Sequence, residues 1–318
     1  MEKKQKSKDV KLRAFRIENS DMSKPNSGLL NMLLNKLSGS IVQDRRMLLN
    51  EDDPHKEEDL ISYYDDKLTH LFFGTLLRIS SADGIPNITE DLLHQKEITI
   101  NDLDNINIKS TILYKSHYYF ALNNDFLVTN LSFPKKINNL QTYINHLLRD
   151  VRGTTLYQFT PMISEPPSTK LSDLKSIKLQ DSTIAIPNEN KKKDDSQSFT
   201  KKFSNLKKEL INKFLNDVEF ADDLVNKNIV SADLFLKFAK PKEMTKADYE
   251  KFMGAVLKPI DDDSVTFITK KDQKIKARDF IKQKIVEIEA TESGKISEPR
   301  LSEAMEEYLN ELKNEENC

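Results

Sequence analysis

The spacing of apolar positions sorts the chain into segments with periods of two and of about 3.6 residues. After a polar stretch over residues 1–8, Lys11-Leu-Arg-Ala-Phe-Arg-Ile17 alternates with one break and predicts a strand. Leu29, Leu30, Leu33, Leu34 and Leu37 make one stripe on a helix, with Ser27 as its expected N-cap. Strand-like runs follow at 71–79, 98–100, 108–114, 117–122 and 126–131. Asn123-Asn-Asp125, between the last two, tolerates positive φ and predicts a hairpin turn. Ile137, Leu140, Ile144, Leu147 and Leu148 return to spacings of three and four, which predicts a helix ending near Arg149.

Past Arg152-Gly-Thr-Thr155, a strand to Phe159 precedes Pro161 and Pro166-Pro167, and a further strand is expected over 176–186. Residues 188–200 hold no large apolar side chain before Phe199, so they read as a linker or long loop. Phe203, Leu206, Leu210, Ile211 and Phe214 then share a helix face, and residues 232–239 read as a strand stopped by Pro241. Thr245-x-x-Asp248 is a capping box opening a helix with Tyr249, Phe252, Met253 and Val256. Strands at 265–269 and 285–290 and a final helix, capped by Ser297 and carrying Leu301, Met305, Tyr308, Leu309 and Leu312, complete the pattern.

This order predicts an α+β fold. The expected N-terminal domain, 1–187, is mostly antiparallel sheet with helices covering one face. The linker 188–200 leads to a smaller α+β half, 201–318, placed to dimerise or to return its last helix to the first domain.

A chain of 318 residues has room for about two domains and needs no staples to hold a core. Its 49 Lys and Arg against 51 Asp and Glu leave a net charge of -2, so no global field draws it to nucleic acid or anionic lipid. Cys318 is the only cysteine, which excludes a disulfide framework and a thiolate metal site. No apolar run approaches the ~18 residues of a membrane span, and no signal-like apolar core follows the basic start, so a cytoplasmic location is expected.

The seven glycines are too dispersed for a dinucleotide or P-loop phosphate cradle. His55, His70, His94, His117 and His146 are too far apart for two imidazoles on one helical turn, and G-x-S-x-G is absent. No cofactor or metal is therefore expected. The nearest approaches to a metal-nuclease set are Asp233 with Lys237, and Asp261-Asp-Asp263.

Charge is instead arranged in blocks. Residues 1–16, 191–213 and 237–284 each carry +5, and 285–318 carry -7. Glu51–Asp66, also -7, reads as a solvated loop or an exposed helix face. Basic blocks on a nearly neutral chain suit phosphate binding. The candidate DNA-binding residues are Arg149, Arg152, Lys201, Lys202, Lys207, Lys208, Lys270, Lys271 and Lys274. Arg149 and Arg152 flank a possible close approach at Gly153. The same pair also suits the negative end of the preceding helix, which is the structural alternative.

From about Glu97 onward the order of segments resembles the RexA-like phage-exclusion family. The resemblance is carried by Arg152-Gly-Thr-Thr155, by the 203–220 amphipathic segment, by Val230-Ser-Ala-Asp-Leu-Phe-Leu-Lys-Phe-Ala-Lys-Pro-Lys242 and by Ile296-Ser-Glu-Pro-Arg-Leu-Ser-Glu-Ala-Met305. It implies a cytoplasmic homodimer that binds duplex DNA with little sequence preference. Such a protein senses phage replication and acts through a membrane-protein effector in abortive infection. The DNA-binding subunit of the Kiwa anti-phage pair is similar in size and logic. A metal-dependent nuclease effector and a protein-interaction scaffold are the alternatives from other classes.

Overall fold

The longest uninterrupted apolar run, Leu71-Phe-Phe-Gly-Thr-Leu-Leu77, is buried at every position, which requires a strand covered on both faces. A computed structural model describes residues 7–19, 28–50, 56–65, 67–80, 90–104, 113–132, 137–166, 169–170, 173–180, 233–237, 245, 248, 265–291 and 295–316. In chain order its elements are β1 (Ser7–Asn19), α1 (Leu29–Ser38), β2 (Met47–Leu48), β3 (Glu57–Tyr64), β4 (Phe72–Ser80), α2 (Glu90–Leu93) and α3 (Ile100–Asp104). Then come β5 (Leu113–Leu122), β6 (Phe126–Thr129), α4 (Ile137–Leu147), β7 (Tyr157–Pro161), β8 (Leu174–Gln180) and β9 (Asp233–Lys237). The last are β10 (Val265–Thr269), β11 (Lys274–Lys276), β12 (Gln283–Glu289) and α5 (Glu298–Glu316). The fold is α+β.

The chain forms two units, one of residues 1–162 with 282–318 and the other of residues 163–281. This differs from a sequential division at 188–200, which lies outside the described residues. The reason is that β12 pairs along β1, in a ladder from Ser7↔Glu289 to Arg13↔Gln283, and returns the C-terminal segment to the first unit.

In the first unit an antiparallel sheet runs in the order β12-β1-β6-β5-β4-β3-β2, with β7 paired to β1. The pleat sends alternate residues to two cores. On one face Leu12, Leu60, Phe73, Leu77, Tyr119 and Val128 pack with Leu301, Met305 and Leu309 of α5. On the other, Phe15, Ile61, Phe72, Leu76, Phe120 and Leu127 pack with Leu29 and Leu33 of α1 and Leu140 and Ile144 of α4. Helices therefore cover both faces, where the sequence pattern predicts cover on one. Gly74 is set by close approach, since a Cβ there would lie 2.6 Å from the Phe72 ring and 3.1 Å from the Tyr63 carbonyl oxygen.

Three local expectations are corrected. Residues 57–64 form β3 rather than a solvated loop or helix face, because four consecutive positions, 59–62, are buried and the acids at 57–59 find cationic partners. Residues 98–100 are not a strand. Thr99 and Asp102 form a reciprocal capping box, with the Thr99 N–H donating to Asp102 Oδ2 at 2.8 Å and the Asp102 N–H to Thr99 Oγ1 at 3.2 Å, and this starts α3. The N-cap of α1 is Gly28, at φ 120°, with no side-chain cap, whereas Ser27 lies outside the described residues. The hairpin at Asn123 forms, but by side-chain bonding rather than positive φ, its Oδ1 accepting the N–H groups of Asp125 and Phe126 at 2.9 and 2.8 Å while residues 123–125 keep negative φ.

The second unit is inserted in the chain between β7 and β12. Its described part is an antiparallel sheet in the order β11-β10-β8-β9. Phe267 of β10 packs edge-on against Phe280, centroids 4.8 Å apart, and both are buried. Half of the Thr245–Asp248 box is present, with the Asp248 N–H donating to Thr245 Oγ1 at 3.1 Å, while the Asp248 carboxylate accepts the Thr245 hydroxyl at 2.6 Å. The expected linker at 188–200, the expected helix over 203–214 and the body of the helix after Asp248 lie outside the described residues.

Candidate nucleic-acid interface

A phosphate-binding surface needs cations that no acid in the fold already occupies. In the first unit part of the block charge is cancelled internally, while Lys8 and Lys11 of β1 are exposed and make no ion pair among the described residues. Arg16 pairs with Glu316, Lys282 with Glu315 and Lys284 with Glu311 at 2.6 Å, so the acidic last helix meets the basic edge of its own sheet. The acids of β3 are matched likewise. Arg46 meets Glu58 at 2.5 Å, Lys115 meets Glu57, and Arg78 grips Asp59 in a bidentate pair at 2.7 and 2.8 Å. Burial works against the Arg78 charge, but the Asp59 hydrogen bonds and the acids around it outweigh that and hold its pKa above the ordinary value.

Arg149 and Arg152 follow α4 without forming a clamp. The Arg152 Nε donates to the Asn145 carbonyl at 2.9 Å, and its Nη1 donates to the carbonyls of Gly153 and Thr155 at 3.1 and 2.9 Å. Those are oxygens that a helix end leaves without intrahelical partners, together with the turn after it. Gly153, at φ 61°, supplies the left-handed residue of that turn. Arg149 is exposed and its Nη1 donates to His146 Nε2 at 2.6 Å. Burial, then the Arg149 charge, lowers the His146 pKa against the opposing pull of Asp150, which suits a neutral ring as acceptor. The fold thus gives Arg152 a capping role.

The second unit differs. Among its described residues, Lys170, Lys175, Lys178, Lys237, Lys270, Lys271, Lys274, Lys276 and Arg278 outnumber Glu165, Asp173, Asp233, Asp248, Asp272 and Asp279 by nine to six. Lys270 and Lys271 are exposed at the tip of the β10–β11 hairpin. The tip is a three-residue loop closed by Asp272 at φ 58°, with the Asp272 N–H donating to the Thr269 carbonyl at 2.9 Å. Lys274 follows in the next strand, also exposed. Among the described residues, these three lysines make no ion pair.

Sheet register extends the group. Lys276 and Lys178 stand on opposite sides of Thr266, on one face and about 10 Å apart across the intervening strand. Lys274 shares that face, opposite Ile268 and about 7 Å from Lys276 along β11. Lys237 takes the register position opposite Ser176. Lys175 sits at the register shift of β8 and pairs with Asp272 at 3.2 Å.

Of the sequence candidates, the structure brings together Lys270, Lys271 and Lys274. It sets Arg149 and Arg152 in the other unit, and Lys201, Lys202, Lys207 and Lys208 lie outside the described residues. Lys178 and Lys276 were not among the candidates. Their signal is strand alternation of polar and apolar residues, in Ser176-Ile-Lys178-Leu-Gln180 and Lys274-Ile-Lys276, which block charges average away.

For the nuclease alternative, Asp233 is in register with Gln180 at the start of β9. Asp261–Asp263 lie outside the described residues. Among the described residues, no three His, Cys, Asp or Glu side chains gather in a way that would hold a metal ion. No described helix is long and apolar enough to cross a membrane.

No protein-family model matches the chain, and no curated protein matches it significantly.

Proposed function

We propose that the chain binds nucleic-acid phosphates, without strong sequence preference, through the lysines of the second unit. The reading is supported by one observation above the others. Lys270, Lys271 and Lys274, free of ion pairs among the described residues, crown a hairpin whose own β11 adds Lys276 and whose neighbour β8 adds Lys178 on the Lys274 face. Lysines about 7–10 Å apart are point charges suited to a phosphate backbone rather than to base edges. The resemblance to RexA-like proteins adds a role for this binding, as a cytoplasmic DNA sensor of an anti-phage system that acts through a separate effector.

The test is binding of the full chain to a labelled duplex across salt concentrations. Counterion release predicts affinity falling steeply with salt, and Lys270→Glu, Lys271→Glu and Lys274→Glu together make the log–log slope shallower by about 2–3 while weakening binding at least tenfold. Binding that ignores salt, or a triple variant that binds as tightly as the parent, overturns the reading.

A further inference from the structure

The eight-stranded sheet ends differently on its two sides. At one end β2 is two residues long, a short edge of the kind that discourages pairing. At the other, β12 presents a seven-residue edge. The Lys282 carbonyl accepts the Ala14 N–H at 3.0 Å, and the Glu289 carbonyl accepts the Ser297 N–H at 3.0 Å. Alternation between these two fixes the pattern. Even-numbered residues of β12 turn their backbone groups toward β1, and Gln283, Ile285 and Glu287 turn theirs outward. Among the described residues, those outward groups have no partner.

The side chains at the same three positions are exposed, and Ile285, at 64 %, is more exposed than any other large apolar side chain described. The lysines that would guard such an edge are drawn aside, Lys282 by Glu315 and Lys284 by Glu311, both on α5.

We propose that this edge is a self-association surface, on which β12 of a second copy pairs antiparallel about a two-fold axis through Ile285. The register follows from which residues face outward. Ile285 opposes Ile285 of the second copy, and Gln283 opposes Glu287 on either side, so three pairs exchange six backbone hydrogen bonds. The occupant is argued from the sequence of the edge itself. The two-fold sets an isoleucine on an isoleucine and an amide opposite a carboxylate twice, with no like charges directly opposed. The window closes at Glu287, because Ser297 already occupies the outward side of Glu289. So short an edge lies at the small end of specific interfaces, and the expected dissociation constant is micromolar.

Sedimentation equilibrium of the full chain tests it. The parent shows a reversible monomer–dimer equilibrium, and Ile285→Lys raises the dimer dissociation constant at least about tenfold with an unchanged melting temperature. Cross-linking reads the register. In a Cys318→Ser background, Ile285→Cys forms a disulfide dimer, since directly opposed residues of a hydrogen-bonded pair have Cα atoms about 5.5 Å apart. Gln283→Cys alone forms none, because its two copies sit about 14 Å apart, whereas a mixture of Gln283→Cys and Glu287→Cys chains does. A chain that is monomeric at about 100 µM, as expected if the edge serves a different protein, overturns the proposal, and so does a dimer that Ile285→Lys leaves intact.

Discussion

The hydroxyl of Tyr143 accepts the amide hydrogen of Ile61, 82 positions earlier in the chain, across 2.9 Å. The same hydroxyl donates to the Arg45 carbonyl at 2.9 Å, so one side chain of α4 satisfies two buried backbone groups beside the β3 irregularity between Ile61 and Tyr63. Burial raises the Tyr143 pKa, and the phenol stays protonated and able to donate at any physiological pH. Tyr143→Phe keeps the ring and orphans both groups, so a loss of about 1–3 kcal/mol is expected in urea unfolding.

Asp59 is fully buried, and its partner Arg78 is about a quarter exposed. Asp59→Asn leaves the partly desolvated guanidinium with Glu57, at 3.8 Å, in place of its bidentate partner, and an expected loss of about 2–3 kcal/mol sits at the low end for a broken buried pair because Arg78 retains that acid and some water. The double variant with Arg78→Met recovers part of that loss. A double-mutant cycle in denaturant measures the coupling.

Glu298 opens α5, and its carboxylate accepts the Tyr119 hydroxyl hydrogen at 3.0 Å. Burial raises its pKa, while Tyr119 and Lys295 oppose the shift. The folded state therefore favours the protonated acid, so the contribution is complete below the unfolded pKa and is lost as pH rises through the folded one. Glu298→Gln removes that loss. Its melting temperature relative to the parent climbs from about pH 4 to about pH 7, and a difference that stays flat with pH refutes the assignment.

Arg152→Lys separates a cap from a phosphate clamp. One ammonium cannot reproduce the planar fork that reaches Asn145, Gly153 and Thr155, so stability falls by about 1 kcal/mol while duplex affinity is unchanged. Arg149→Lys, at an exposed position, changes the melting temperature little.

Period and punctuation make much of this fold legible. The stripe of Leu29, Leu30, Leu33 and Leu37, the Asn123 hairpin and the last helix all stand where local spacing places them. Spacing is blind to pairing between distant segments. Glu57, Glu58 and Asp59 look like a solvated run until Lys115, Arg46 and Arg78 arrive from other segments to neutralise them. The same holds for the site. A net charge summed over 48 residues ranks residues 237–284 no higher than residues 1–16, although Arg16 is spent on Glu316 and Lys270, Lys271 and Lys274 are not.

The ladder that joins Ser7 to Glu289 also sets an order of events during synthesis. β1, made before the other described elements, keeps one side of residues 7–13 open until the residue 282 positions beyond Ser7 has been made, and the whole inserted unit emerges in between. All of those positions must therefore be translated before the sheet is complete at that edge. Over that interval Val10 and Leu12 of the nascent chain lack the α5 cover that later buries them, a window in which a chaperone or a neighbouring nascent chain competes for them.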